Sequence, residues 1–598
     1  MIGLRGLLAA LVATLGLAAA APPATARPMV RTRTTAGKSA KPVAVKPRHD
    51  GSQARVAINH LGDLRPGREV VGRREEPLTA EEETAKQIEK LLRGPLRFGI
   101  TGLFVADART GEALFAVNAD QALNPASNVK MISTATALEL LGAEFHYSTR
   151  LLAGTPDHGV VHGDAYLLGT YDPTLTLTDL DDIAAAVAAR GVTRIDGSLV
   201  VGPDPSRDGV YRAVVPVEIR AGEPGTPPIA TAPATMDLVT TKVTATTLST
   251  PGRPRLTYKL ESSTDAAGHP RLQLAIAGTI GRGAATTYPL VTRERTAAAA
   301  DGLRAALRSH GVAVGGDFKT AELGDFFAQA IAAGNVPTEL GRHDSARLAE
   351  IIAHINKWSI NWLADRVIMT AAALVERQPP SMELALAAMY DWLGRHPRIA
   401  RSDLVVDTGS GLSYHTRISP HELVSIVRSA GGFTPDGDAA LAHAWLDSLS
   451  IAGTDGTLSS RFRGGETRGR IRGKTGTLST VIALSGVLEA DPQRPLAFSL
   501  VTNGDVPLSS RYVRRAHEQL VGLLCRYLAR TQKTPGLTPA QVPQAALPAL
   551  PPGDMERSEL DDAESSSAVD PGLGAAIDAV PSTPLPVPLD DAGATPVD

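Results

Sequence analysis

The tetrapeptide Ser127-Asn128-Val129-Lys130 sets a hydroxyl and an amine three residues apart. On a helix, positions i and i+3 share one face, so the two groups can meet. A serine is a poor nucleophile until a base takes its proton, and a desolvated lysine can be that base. The chain has twelve lysines against 48 arginines, and among the twelve only Lys130 has a serine three residues before it. Arginine cannot give up its proton, so lysine here fits a need for a titratable amine. A second element, Ser359-Ile360-Asn361, lies between two helical stretches. Its hydroxyl can relay a proton and its amide can hold a peptide group, although taken alone it reads as a helix cap. The third is Lys474-Thr475-Gly476-Thr477, on a strand-like stretch. Lysine and threonine donors there can hold a carboxylate. Glycine lets a substrate backbone come close. Alone, this element reads equally well as a strand followed by a turn.

In this order the three resemble the motif set of penicillin-binding proteins and serine β-lactamases. Ile360 stands where that pattern has aspartate, which leaves nucleophile, base and relay in place but removes a charge near the cleft. Ser127 to Ser359 is 232 residues and Ser359 to Lys474 is 115. With that long first interval, the chain resembles the class C low-molecular-mass penicillin-binding proteins, the D-alanyl-D-alanine carboxypeptidase/endopeptidase family. Those carry a large insertion between the first two motifs. Further stretches carry the resemblance: Gly163 to Leu175, Arg194 to Val201, Ile355 to Asn361, and Asp407 to Ser413 with Arg417 to Pro420. It covers roughly Thr84 to Arg530 and is weakest from about Pro205 to Glu339, where the Pro-rich Glu223 to Pro228 replaces an expected regular strand.

The resemblance implies an α/β fold of the penicillin-binding-protein and serine β-lactamase type, an antiparallel sheet flanked by helices and interrupted by a large inserted region. It implies that Ser127 attacks the carbonyl between two D-alanines, with Lys130 as base. Ser359 would pass the proton to the leaving amine, and Asn361 would hold the substrate amide. Lys474, Thr475 and Thr477, beside Gly476, would bind the terminal carboxylate, and the N–H groups of Ser127 and Thr477 would form the oxyanion hole. Lys130 must then be neutral, with burial and a nearby cation, Lys474, as the causes. The partners would be peptidoglycan peptides ending in or cross-linked through D-alanine, with β-lactams as covalent inhibitors; no metal or cofactor is needed. The alternatives are β-lactam or ester hydrolysis on the same scaffold, which the insertion disfavours, and a non-catalytic wall-binding protein. Lys474 does not belong to a phosphate loop, since position 468 is Arg, and His421-Glu422 lacks a histidine at 425.

The ends are of another character. Met1 to Arg5 is a short cationic start, Leu7 to Ala21 is almost wholly apolar, and Ala24-Thr25-Ala26 offers small residues for cleavage. This predicts a secretory signal peptide over 1–26, with an uncleaved anchor as the alternative. The apolar run is shorter than the ~20 residues of a spanning helix, so no stable membrane span is expected in the mature protein. The body would work in the periplasm or another extracytoplasmic wall compartment. Residues 27–83 read as a basic, Pro-rich linker and 534–598 as a disordered acidic tail. Between them, 84–155 and 335–533 read as two parts of a peptidase domain and 156–334 as the insertion. A formal net charge of -3 argues against nucleic acid as a partner. Strands are expected at Ile100 to Asp107, Glu112 to Asn118, Ile471 to Gly473, Ile482 to Leu488 and Leu496 to Thr502. Helices are expected from Ser127 to a stop at Gly142, from Ser345 to Trp358 and from Asn361 to Val375. Cys525, the single cysteine, shares helical spacing with Val521, Leu524 and Leu528, which marks it as a core residue.

Overall fold

The computed structural model describes residues 78–531 apart from 203–213, 233–236, 267, 293, 321–336 and 436–437. The signal peptide, nearly all of the linker and the acidic tail expected above lie outside the described residues. Helix α1 (Ala80–Arg93) takes in four residues assigned above to the linker. Thr79 and Glu82 form a reciprocal capping box, and the charged first turn that reads as linker suits the positive end of the helix dipole.

Strands β1 (Ile100–Asp107) and β2 (Ala113–Val117) form a hairpin. A 3-10 turn over Ala126–Val129 leads into α2 (Lys130–Leu141). The chain resumes after the insertion with α3 (Leu348–Trp358), α4 (Asn361–Glu376), α5 (Met382–Arg395), α6 (Pro420–Ala430) and α7 (Ala439–Ser448). It ends with β3 (Ser450–Ile451), β4 (Ile471–Leu478), β5 (Val481–Leu488), β6 (Leu496–Asn503) and α8 (Ser510–Thr531). The six strands lie in the order β3-β4-β5-β6-β1-β2, every neighbour antiparallel.

Strand side chains alternate between two faces, and here both faces are covered. Phe104, Ala106, Ala483, Val487, Ala497 and Val501 face the helical core built on α2 to α7. Leu103, Val105, Leu484, Leu488, Phe498 and Leu500 face α1 and α8. Cys525 sits in that second core, where burial pushes its thiol up to about 12 and keeps it inert.

The inserted region has its own cores. Strands Ser148–Ala153 and Thr338–Asp344 pair with each other and belong to its five-stranded sheet. The boundaries drawn at 155/156 and 334/335 therefore fall inside that sheet. Leu151, Ala153 and Leu340 pack with Ile183, Leu199 and Leu303 of the insertion, so entry and exit strands form its neck. A second core gathers Val215, Val217, Leu274 and Ile276 from two further small sheets. The Pro-rich Glu223–Pro228 lies in the loop between two antiparallel strands, Val214–Arg220 and Ile229–Thr231. Among the described residues no helix is long and apolar enough to cross a membrane.

Candidate active site

Ser127 is not the first residue of an α-helix, as its spacing had suggested. It lies in the 3-10 turn, with Ala126 before it at φ 47°. The cause is tertiary. Asn124 Oδ1 accepts the Ala126 N–H at 2.8 Å, while Asn124 is itself clamped to Asn503 at the end of β6 by bonds of 2.8 and 3.0 Å. Two glycines press on the turn from either side. A Cβ on Gly476 would sit 2.4 Å from the Pro125 carbonyl oxygen, and one on Gly411 would sit 2.1 Å from that of Ala126. Gly476 was expected to make room for the substrate; its bareness is already required by the protein's own turn.

Lys130 is fully buried behind Ser127. Its Nζ donates to Ser127 Oγ at 2.9 Å, to the Ser410 carbonyl at 2.8 Å, and to Asn361 Oδ1. Asn361 Oδ1 also lies 3.5 Å from Ser127 Oγ. So the amide expected to hold substrate is turned toward the nucleophile and its base.

Ser359 ends α3 in the left-handed region, φ 60°, and Ile360 leads into α4. That reversal aims Ser359 and Asn361 at two different amines. Lys474 Nζ donates to Ser359 Oγ at 2.8 Å and to the Thr475 carbonyl at 3.0 Å, and Lys474 too is fully buried. Ile360 points into the helical core at 2% exposure, so it does not line the cleft. The two amines lie behind, while Ser127, Ser359, Thr475 and Thr477 are the partly exposed members in front. The Thr475 hydroxyl donates to Thr457 Oγ1 at 2.9 Å, and Thr477 Oγ1 accepts from Arg514 of α8 at the same distance.

β4 runs on through Leu478, past the expected stop at Gly473, because its ladder with β5 carries the polar residues: Lys474 is paired with Ser485 and Thr477 with Ile482. Sequence reasoning missed Asp365, one turn beyond Asn361 on α4. Its Oδ1 accepts the Ser410 N–H at 2.7 Å. Burial pushes its carboxyl above the ordinary range, while Lys130 and the Ser410 contact pull it down. A carboxylate here favours the ammonium form of Lys130 and opposes the effect of burial, an influence the sequence reading did not include. Only the spacing of Asn361 and Asp365, i and i+4 on one helix face, hinted at it.

Other clusters lie elsewhere. Asp179, Asp182 and His343, whose ligand atoms lie within 4.8 Å of one another, sit on a helix and the exit strand of the insertion. A cavity of about 90 Å³ lined by Asp237, Asp301 and Arg304 is also in the insertion, with Arg304 paired to each acid at 3.0 Å.

The model of the D-Ala-D-Ala carboxypeptidase 3 (S13) family matches residues 84–527. The chain belongs to that family. It is 30% identical over 475 residues to a D-alanyl-D-alanine carboxypeptidase of Actinomadura sp., covering 71% of this chain and 81% of that protein. A carboxypeptidase of Mycobacterium tuberculosis is 27% identical over 406 residues, 67% of this chain and 75% of its own. The crystal structure of penicillin binding protein 4 from Haemophilus influenzae superposes with a TM-score of 0.57 at 20% identity, over 73% of this chain and 99% of that one. The antiparallel sheet flanked by helices is thus the penicillin-binding-protein fold that the resemblance implied. This S13 protein is a serine-type D-alanyl-D-alanine carboxypeptidase.

Proposed function

We propose that Ser127 carries the acyl group and that the enzyme cleaves D-alanyl-D-alanine ends, and D-alanine cross-links, of peptidoglycan peptides. The observation that carries this is the Ser127 hydroxyl 2.9 Å from an amine with no solvent exposure. In its neutral form Lys130 accepts the Ser127 proton as Ser127 Oγ attacks the carbonyl carbon of the penultimate D-alanine. The oxyanion falls to the N–H groups of Ser127 and Thr477, a type of contact worth about 10²–10³ in rate. Ser359, held by Lys474, delivers its proton to the leaving nitrogen and takes up the one Lys130 received, so the C–N bond breaks and Lys130 is neutral again. Water, deprotonated by Lys130, then attacks the ester, frees the shortened peptide and returns the proton to Ser127. Asn361 orients the nucleophile and base as well as the substrate amide, and Lys474, Thr475, Gly476 and Thr477 form the wall against the substrate's carboxylate. β-Lactams acylate the same Ser127.

On this reading 1–26 is an export signal and the enzyme works in the periplasm or another extracytoplasmic wall compartment. Residues 148–344 form the inserted unit, and the rest of the folded chain is the peptidase. The test is labelling with a fluorescent penicillin combined with mass spectrometry of purified muropeptides. Wild type takes the label and removes D-alanine or opens dimers; Ser127→Ala does neither. A labelled Ser127→Ala protein would show that another residue is the nucleophile.

A further inference from the structure

The carboxylate wall is less positive than its sequence suggests. Lys474 is fully buried, with its ammonium engaged by Ser359 Oγ and the Thr475 carbonyl. The Thr475 hydroxyl proton is directed at Thr457. Thr477 differs. Its oxygen accepts from Arg514 Nη2 at 2.9 Å, so its own O–H is left to donate into the cleft.

Arg514 is half-buried and makes no ion pair among the described residues. Beside it stands a second guanidinium, Arg461, which donates to the Arg514 carbonyl at 3.5 Å and is held by Glu518 at 2.7 Å. Burial, eased by Glu518 and worsened by the charge of Arg514, holds Arg461 below its ordinary range. The carboxylate beside these two cations is thus taken by Arg461, and the uncompensated Arg514 touches the substrate-facing threonine. A guanidinium has five donors in a fixed fork suited to a carboxylate.

We propose that Arg514 is the counter-ion of the substrate's leaving-side carboxylate, the free acid on the residue whose nitrogen departs. This rests on the acyl-enzyme reading above. Arg514 then selects substrates with a free acid at that position, with Thr477 as the shared hydroxyl between them.

Benzylpenicillin and its methyl ester, which differ only in that acid, provide the test. Second-order acylation rates are measured for wild type, Arg514→Gln and Arg514→Lys. Arg514→Gln slows acylation by the acid about 10–100-fold, as expected for loss of a charged hydrogen bond, and leaves the ester within about threefold. Arg514→Lys recovers part of the rate with the acid alone. Equal losses on both compounds mean that Arg514 only holds α8 against β4, and no loss on either means that the acid is bound elsewhere; both overturn the proposal. Full end-point labelling of Arg514→Gln at excess penicillin keeps the acyl-enzyme reading intact in those cases. A wild type that neither compound labels at Ser127 overturns that reading and this one together.

Discussion

Gly476→Ala tests whether the nucleophile is placed by being clamped. The added methyl would lie 2.4 Å from the Pro125 carbonyl oxygen, against 3.4–4 Å for ordinary contact, so strand and turn must part by about 1 Å. The turn cannot yield the other way, because Ala126 is already pressed by Gly411 at φ +78°. Overpacking of this kind costs about 1–3 kcal/mol of stability. A displacement of about 1 Å at reacting atoms costs about 10²-fold in rate. The assay is second-order acylation by a fluorescent penicillin together with the urea midpoint. Gly465→Ala, with nothing within 4 Å of its new methyl, is the control and should match wild type in both. Gly476→Ala acylating within about threefold of wild type would refute the clamp.

Two more outcomes are expected. Lys130→Arg should be nearly inactive across a pH series, since guanidinium holds its proton at any working pH, whereas Lys474→Arg keeps its charge and part of the acylation rate; equal losses would mean the base is misassigned. His517 is buried against Thr502, and burial, with Arg461 nearby, pushes its imidazole down to about 3. The unfolded chain takes up that proton first, near the ordinary 6.5, so its contribution is complete above that pH and is lost on acidification toward 3. Between pH 7 and pH 5 wild type should lose about 2 kcal/mol more than His517→Gln in urea unfolding; parallel slopes would show that His517 is not buried neutral.

Much of this site could be read from residue types. Lys130 stood out because lysine is scarce and this one alone follows a serine at i−3, and Ser359 and Lys474 because the three elements come in one order. β5 and β6 were legible because both faces of each are buried, leaving runs of apolar residues. The 3-10 turn was not legible, because its geometry is set by Asn503, 379 residues from Asn124. The strand-like character around Lys474 was legible, but whether β4 continued or turned was not, because Lys474, Thr475 and Gly476 break the apolar pattern and the ladder with β5 sustains them. Ser410 and Arg514 meet Lys130 and Thr477 through contacts between distant segments, which no local spacing encodes, and Asp365 was hinted at only by its place one turn beyond Asn361. The pairing of strand Ser148–Ala153 with Thr338–Asp344, far along the chain, is likewise a contact that no local pattern encodes.

The central sheet joins the two ends of the chain: β1 pairs with β6 from Ile100 against Asn503 to Asp107 against Leu496. A nascent chain grown as far as α7 holds Ser127, Lys130 and Asn361. It still lacks β4 with Lys474, and it lacks Asn503, which pins the turn before Ser127. Closing so long a loop is slow, and nothing rewards it until β6 exists. The chain is therefore silent as a hydrolase until β6 has been made, and wall-cutting activity arrives only after that last strand.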